Sequence, residues 1–186
     1  MMKTILIAAA VISAAAVLIL LLFTDTFVGH QEKIPDRITD GYTKDTSDND
    51  APKSVESTKI VSFSLEFSTV AWYDESELPG GIYKLTVSDG MGKYEFRSRY
   101  GDGEKYEIAA DDTFMQALDE TVKRHDVAKH NGKSVFVSGL PDMYGEKISV
   151  LYSSGEEISA SDNQDGFLTG EFLYEICGLF NKQRIN

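Results

Sequence analysis

Between Lys59 and Asn181 the apolar residues recur with two distinct periods, and those periods divide the stretch into elements. Val61, Phe63, Leu65 and Phe67 alternate with Ser62, Ser64, Glu66 and Ser68, which predicts a strand with one wet face. Ile82 to Val87 and Tyr94 to Tyr100 predict two further strands joined through Asp89-Gly90-Met91-Gly92, whose Asp-Gly is a hairpin signal. Tyr106 to Ala109 follows Gly101-Asp102-Gly103, and the four strands read as an antiparallel meander.

The period then changes. Asp111-Asp112 caps a helix expected to run to about Lys129, with Met115, Leu118 and Val122 on its apolar stripe. On the other side Asp119 and Lys123, and Glu120 and Arg124, stand four apart as ion pairs, and Asn131-Gly132 ends the element. Three more strands are expected at Ser134 to Ser138, Lys147 to Tyr152 and Glu157 to Ser161. A second helix, from about Gly170 to Asn181, turns Phe172, Leu173, Ile176 and Phe180 inward. The expected fold is α+β, an antiparallel sheet in the element order ββββαβββα packed with two helices and preceded by one transmembrane helix.

That preceding helix is residues 5–23, an uncharged apolar run. At about 1.5 Å per helical residue it nearly spans a hydrocarbon core of about 30 Å. A cleaved signal has a shorter apolar region and a small-x-small site after it; here Ala14-Ala15-Ala16 lies inside the run, so residues 1–23 read as an uncleaved anchor. Lys3 ahead of the run and Asp25 behind it keep the N-terminus cytoplasmic and export the rest of a single-pass protein. Residues 24–58 carry few large apolar side chains and no sustained period, and read as a flexible acidic linker; residues 59–186 form the extracytoplasmic domain.

The chain carries 30 Asp and Glu against 18 Lys and Arg, a net charge of -12. Such a surface repels phosphate backbones and anionic headgroups, which argues against nucleic acid as a partner. Its expected partners are the membrane, through the N-terminal helix, and a protein or polymer of the cell envelope. The single cysteine, Cys177, makes no internal disulfide and falls inside a helical apolar pattern, where burial is expected.

Catalytic signatures do not emerge. His125 and His130 are five apart and diverge by about 140° on a helix, which rules out a shared metal. Ser161 to Gly166, SDNQDG, approaches a calcium loop at Ser161, Asn163, Asp165 and Gly166, but Phe172 stands where the bidentate glutamate belongs, so the stretch reads as a turn. Asp45, Asp48 and Asp50 lack the required glycine and read as a solvated charge run. No catalytic residue, metal ligand or cofactor is assigned. The candidate binding residues are Trp72, Tyr73, Asp74, Glu75 and Glu77, in a connection longer than a hairpin needs. Either Trp72 folds back over the core and leaves the carboxylates in solvent, or the loop is a recognition surface.

From Phe114 onward the chain runs through a helix, Asn131-Gly132, a strand pair ending in Tyr152-Ser-Ser-Gly155, a further strand, an acidic-glycine loop and a terminal amphipathic helix. That order resembles a broad group of uncharacterised, membrane-anchored or lipoprotein cell-envelope proteins of Gram-positive bacteria. Two positions depart from it: His130 where an aromatic usually precedes the Asn-Gly, and Gly170 where a proline usually opens the last helix. The resemblance implies an exported α+β domain and supplies no catalytic residues. The expected function is a non-enzymatic, membrane-tethered binding or interaction module, and the alternative is an envelope hydrolase using loop carboxylates such as Asp74 and Glu77. The hydrolase requires two carboxylates converging in a pocket with at least one raised pKa; the module requires an exposed aromatic patch and no such cleft.

Overall fold

The computed structural model describes residues 41–69, 78, 80–98, 103–139 and 145–184. The apolar run, the first part of the linker and all five candidate binding residues from Trp72 to Glu77 lie outside them. The described chain is a mixed α+β fold of one eight-stranded sheet and two helices.

The meander is present as β2 (Ile60–Ser68), β3 (Gly81–Ser88), β4 (Met91–Ser98) and β5 (Glu104–Ala109), each antiparallel to the next. Ser88 faces Met91 across a two-residue loop in which Asp89 has φ 54° and Gly90 φ 74°. Positive φ at both positions is the turn whose twist matches that of paired strands, so the hairpin signal acts as expected and Met91-Gly92 belongs to the strand. The second group comprises β6 (Ser134–Val137), β7 (Glu146–Tyr152) and β8 (Glu157–Asp162). It joins the meander through β7 beside β2, giving the order β1-β6-β8-β7-β2-β3-β4-β5.

Two features differ from the sequence expectation. The sheet is not wholly antiparallel, because β6 runs parallel to β8. β8 occupies the free side of β7 as its hairpin partner, and β6 is left only the outer edge of β8. The second feature is β1 (Thr43–Asp45), which lies in the stretch assigned to the linker and pairs antiparallel with β6. Its three side chains are exposed, so the pairing rests on backbone groups that hydrophobic periodicity does not report.

Helix α1 (Asp112–Arg124) starts where Asp111 accepts the Phe114 N–H at 2.9 Å. It ends earlier than expected: Asp126 takes a left-handed conformation and Val127–His130 form a separate 3₁₀ turn that buries Val127. Lys123 pairs with Asp119 at 3.4 Å as the spacing indicates, but Arg124 reaches across to Glu175 of helix α2 (Gly170–Lys182), where Thr169 is the N-cap. Both helices lie on one face of the sheet. Phe114, Leu118 and Val122 of α1 and Phe172, Ile176 and Phe180 of α2 close over Phe63, Leu65, Leu85, Ile108, Ile148 and Val150. The ring of Phe180 meets Phe114 edge-on at 5.1 Å and Phe63 at 6.4 Å. Cys177 is buried in the same layer, and burial pushes its thiol up to about 12.

Residues 46–57 continue from β1 as a strap along the sheet. Asn131 holds its middle: the buried side chain donates to Pro52 O at 2.9 Å and Glu157 O at 3.0 Å and accepts from Ser159 N–H at 2.8 Å. Gly132, with φ 82°, lets the strap pass, since a Cβ there would stand 2.2 Å from Asp48 O. The Glu156 carboxylate accepts the N–H groups of Glu56 and Ser57.

Two substitutions measure these contributions. Phe180→Ala removes the ring common to both helices and the central strand, and should cost about 3 to 5 kcal/mol in denaturant unfolding. Asn131→Ala leaves three backbone groups without their partner and should cost about 2 to 3 kcal/mol; a loss below about 0.5 kcal/mol would mean that the strap is not fastened there.

Candidate functional site

Among the described residues no element covers the face of the sheet away from the helices, and register gives this open face an ordered chemistry. Ser134, Ser161, Lys147, Glu66, Lys84, Glu95 and Lys105 are successive cross-strand partners from β6 to β5. Opposite charges directly across a pair attract and like charges repel, so the alternation Lys-Glu-Lys-Glu-Lys stabilises the register. The Glu95–Lys105 carboxylate and ammonium stand 3.1 Å apart, and Lys93 and Glu107 of the neighbouring row stand 3.6 Å apart. The other members of that neighbouring row, Ser159, Ser149, Ser64 and Thr86, carry hydroxyls.

At the end of the sheet where β2 passes to β3 the open face dips into a groove of about 270 Å³. Ile82 and Phe136, 43% and 49% exposed, give it apolar walls, and Glu66, Ser68 and Lys147 give it polar ones. The connection that contains Trp72 leaves and re-enters the sheet here: Thr69 N–H donates to Gly81 O at 3.1 Å and Gly81 N–H to Thr69 Oγ1 at 3.0 Å. The groove therefore adjoins both anchors of the predicted loop.

Two buried carboxylate residues that also line the groove face each other across β7 and β8. Glu146 and Asp162 are cross-strand partners, 4% and 3% exposed. Glu146 Oε2 accepts the N–H groups of Phe167 and Leu168, each at 2.6 Å. Burial pushes the Glu146 carboxyl up to about 7 against the pull of those two donors, and the Asp162 charge adds to the rise. Burial acts on Asp162 in the same direction, but the Asp165 and Gln164 N–H groups and the Lys133 ammonium, 2.9 Å from Oδ2, outweigh it and hold its carboxyl below the ordinary range.

Two converging carboxylates with one near neutrality are what an acid and base pair needs, and sequence reading did not single out either residue. Their bonds point elsewhere. Asp162 Oδ1 takes the Gln164 and Asp165 N–H groups and Oδ2 takes Lys133, while Glu146 closes the following turn onto β7. Asn163 extends the turn sideways, its amide bonding both Val137 N–H and Val137 O of β6. The stretch from Ser161 to Gly166 is thus a turn riveted to three strands, as the turn reading of SDNQDG expects. A signal for Glu146 was present in the sequence, because it continues the buried positions Ile148, Val150 and Tyr152 at period two.

The histidines are held separately. His125 packs edge-on against Phe172 with Nε2 3.1 Å from Glu175, and His130 tilts against Phe167. The chain matches no family model, no curated protein and no solved structure.

The carboxylates make stability depend on pH with opposite signs. Glu146 has its folded pKa raised above the ordinary 4.5, so its contribution is full below about 4.5 and is lost as pH rises through about 7. Asp162 has its folded pKa lowered, so its contribution is present above 3.8 and is lost as pH falls below that value. Glu146→Gln keeps an acceptor for the two N–H groups without the charge. Thermal melts should show that this variant loses the native decline between about pH 4.5 and 7; an unchanged slope would remove Glu146 as its source.

Proposed function

We propose that the chain is a single-pass, membrane-tethered extracytoplasmic module that binds a protein or polymer of the cell envelope on the open sheet face and performs no chemistry on it. The observation that carries this reading is the groove at the loop end, where exposed Ile82 and Phe136 stand beside Lys147 and Glu66 on a rigid sheet. A recognition site needs that combination of apolar area and a few placed charges. The tether is supported by the uncharged run at 5–23 behind Lys3, and the exported setting by the resemblance of the helix, Asn131-Gly132 and Tyr152-Ser-Ser-Gly155 order to envelope proteins. The hydrolase alternative is expected on Asp74 and Glu77, which lie outside the described residues; transferred to Glu146 and Asp162, it meets a pair in which Asp162 holds the N–H groups of Gln164 and Asp165 and the Lys133 ammonium, and Glu146 Oε2 holds those of Phe167 and Leu168.

Two measurements test the reading. Carbonate-washed membranes should retain the full-length chain, and external protease on intact cells should digest its C-terminal domain; a released fragment beginning near Thr24 would refute the anchor. Full-length chain in lipid nanodiscs, exposed to a solubilised envelope fraction and washed with salt, should hold a partner that Ile82→Glu holds about tenfold more weakly at an unchanged melting temperature. Equal retention would exclude the groove, and recovery of a chemically altered small molecule would favour the hydrolase.

A further inference from the structure

The outermost part of the sheet is held in an unusual way. β1 contributes no buried side chain, and its ladder with β6 consists of hydrogen bonds: Ser138 N–H donates to Tyr42 O at 3.0 Å and Thr46 N–H to Ser134 O at 2.8 Å, and hydroxyls at the two ends add Tyr42 N–H to Ser138 Oγ at 3.2 Å, Ser134 N–H to Ser47 Oγ at 2.9 Å and a Thr46 Oγ1–Ser134 Oγ bond of 2.8 Å. In an antiparallel ladder hydrogen-bonded pairs recur every second residue, so Lys44 opposite Phe136 is also hydrogen-bonded. The Lys44 N–H therefore points into β6, and the Thr43 N–H points away from it.

The strand that β1 covers is the opposite in character. Ser134-Val135-Phe136-Val137-Ser138 is rich in β-forming apolar residues, and it reads the same in both directions. Two copies paired antiparallel about Phe136 would set Phe136 against Phe136, Val135 against Val137 and Ser134 against Ser138. That arrangement is self-complementary under a two-fold axis, as a symmetric dimer requires. It would replace Thr43, Lys44 and Asp45 opposite β6 with apolar cross-strand partners and keep the hydrogen-bonded pair at position 136. Uncovered edge strands of this kind are templates for pairing with another chain, and a short charged strand laid over one blocks it.

We propose that the outer edge of β6 is a self-association edge for a second copy of this chain, masked in the monomer by the tether strand Thr43–Asp45 and exposed when that strand is drawn off. The mask prevails in the resting chain because it is intramolecular, with an effective concentration on the order of millimolar. This inference concerns the chain by itself and does not rest on the groove or on any envelope ligand.

The test uses the purified full-length chain in detergent, with its oligomeric mass measured by light scattering. Lys44→Pro removes the donor that faces β6, whereas Thr43→Pro removes one that faces solvent. The native chain and Thr43→Pro should be monomeric, Lys44→Pro should dimerise, and Lys44→Pro combined with Phe136→Asp should return to monomer because two carboxylates would oppose each other. A folded Lys44→Pro that stays monomeric, or a dimer that survives Phe136→Asp, overturns the proposal. Should Lys44→Pro fail to fold, oxidation of Phe136→Cys is compared with that of Leu151→Cys on the open face, Cys177 being buried and inert. Faster formation of a disulfide-linked dimer through position 136 supports the edge, and equal or slower formation overturns it.

Discussion

Phe180 is the point at which the layers of this protein meet, because its ring touches Phe114 of the first helix and Phe63 of the central strand β2. What those contacts can reach is limited by size. Eight strands at about 4.8 Å spacing span about 34 Å, whereas two helices of about 10 Å diameter cover about 20 Å of that width. The burial pattern follows this limit. β2, β3 and β7 in the middle bury alternate residues completely, β5 buries Ile108 alone, and β6 and β1 bury none.

Beyond the reach of the helices, polar contacts replace apolar ones. Asn131 ties the strap to β8, Asn163 ties the turn after β8 to β6, Asp162 takes Lys133, and Glu146 takes the N–H groups that lead into α2. All these residues but Asn163 and Lys133 are nearly inaccessible to water, where an unpaired polar group is costly and a paired one fixes geometry. The raised pKa of Glu146 is a consequence of that use of a carboxylate as a fastener, and by itself it is no sign of catalysis.

Among the described residues no layer covers the other face of the sheet, which presents a row of alternating charges, a row of hydroxyls that ends in Lys93 and Glu107, and the apolar walls of one groove. Neighbouring groups along one row stand about 4.8 Å apart and turn with the twist of the sheet, by about 20 to 25° per strand.

Much of this was legible from the sequence alone. Period-two alternation located β2 to β5, Asp89-Gly90 marked their tight hairpin, and Asp111 and the apolar stripe behind it marked α1, because each depends on neighbours within a few residues. What tertiary structure decided was partnership. The parallel placement of β6 beside β8, the pairing of Arg124 with Glu175 instead of Glu120, the docking of β1 and the opposition of Glu146 to Asp162 all join residues far apart along the chain. Register aligned Lys147, Glu66, Lys84, Glu95 and Lys105 into one row, although in sequence they lie scattered across five strands. Composition made 41–58 look unable to order itself because it has little apolar surface to bury; the sheet edge and the side chains of Asn131 and Glu156 ordered it through hydrogen bonds to its backbone groups, which no hydropathy pattern records.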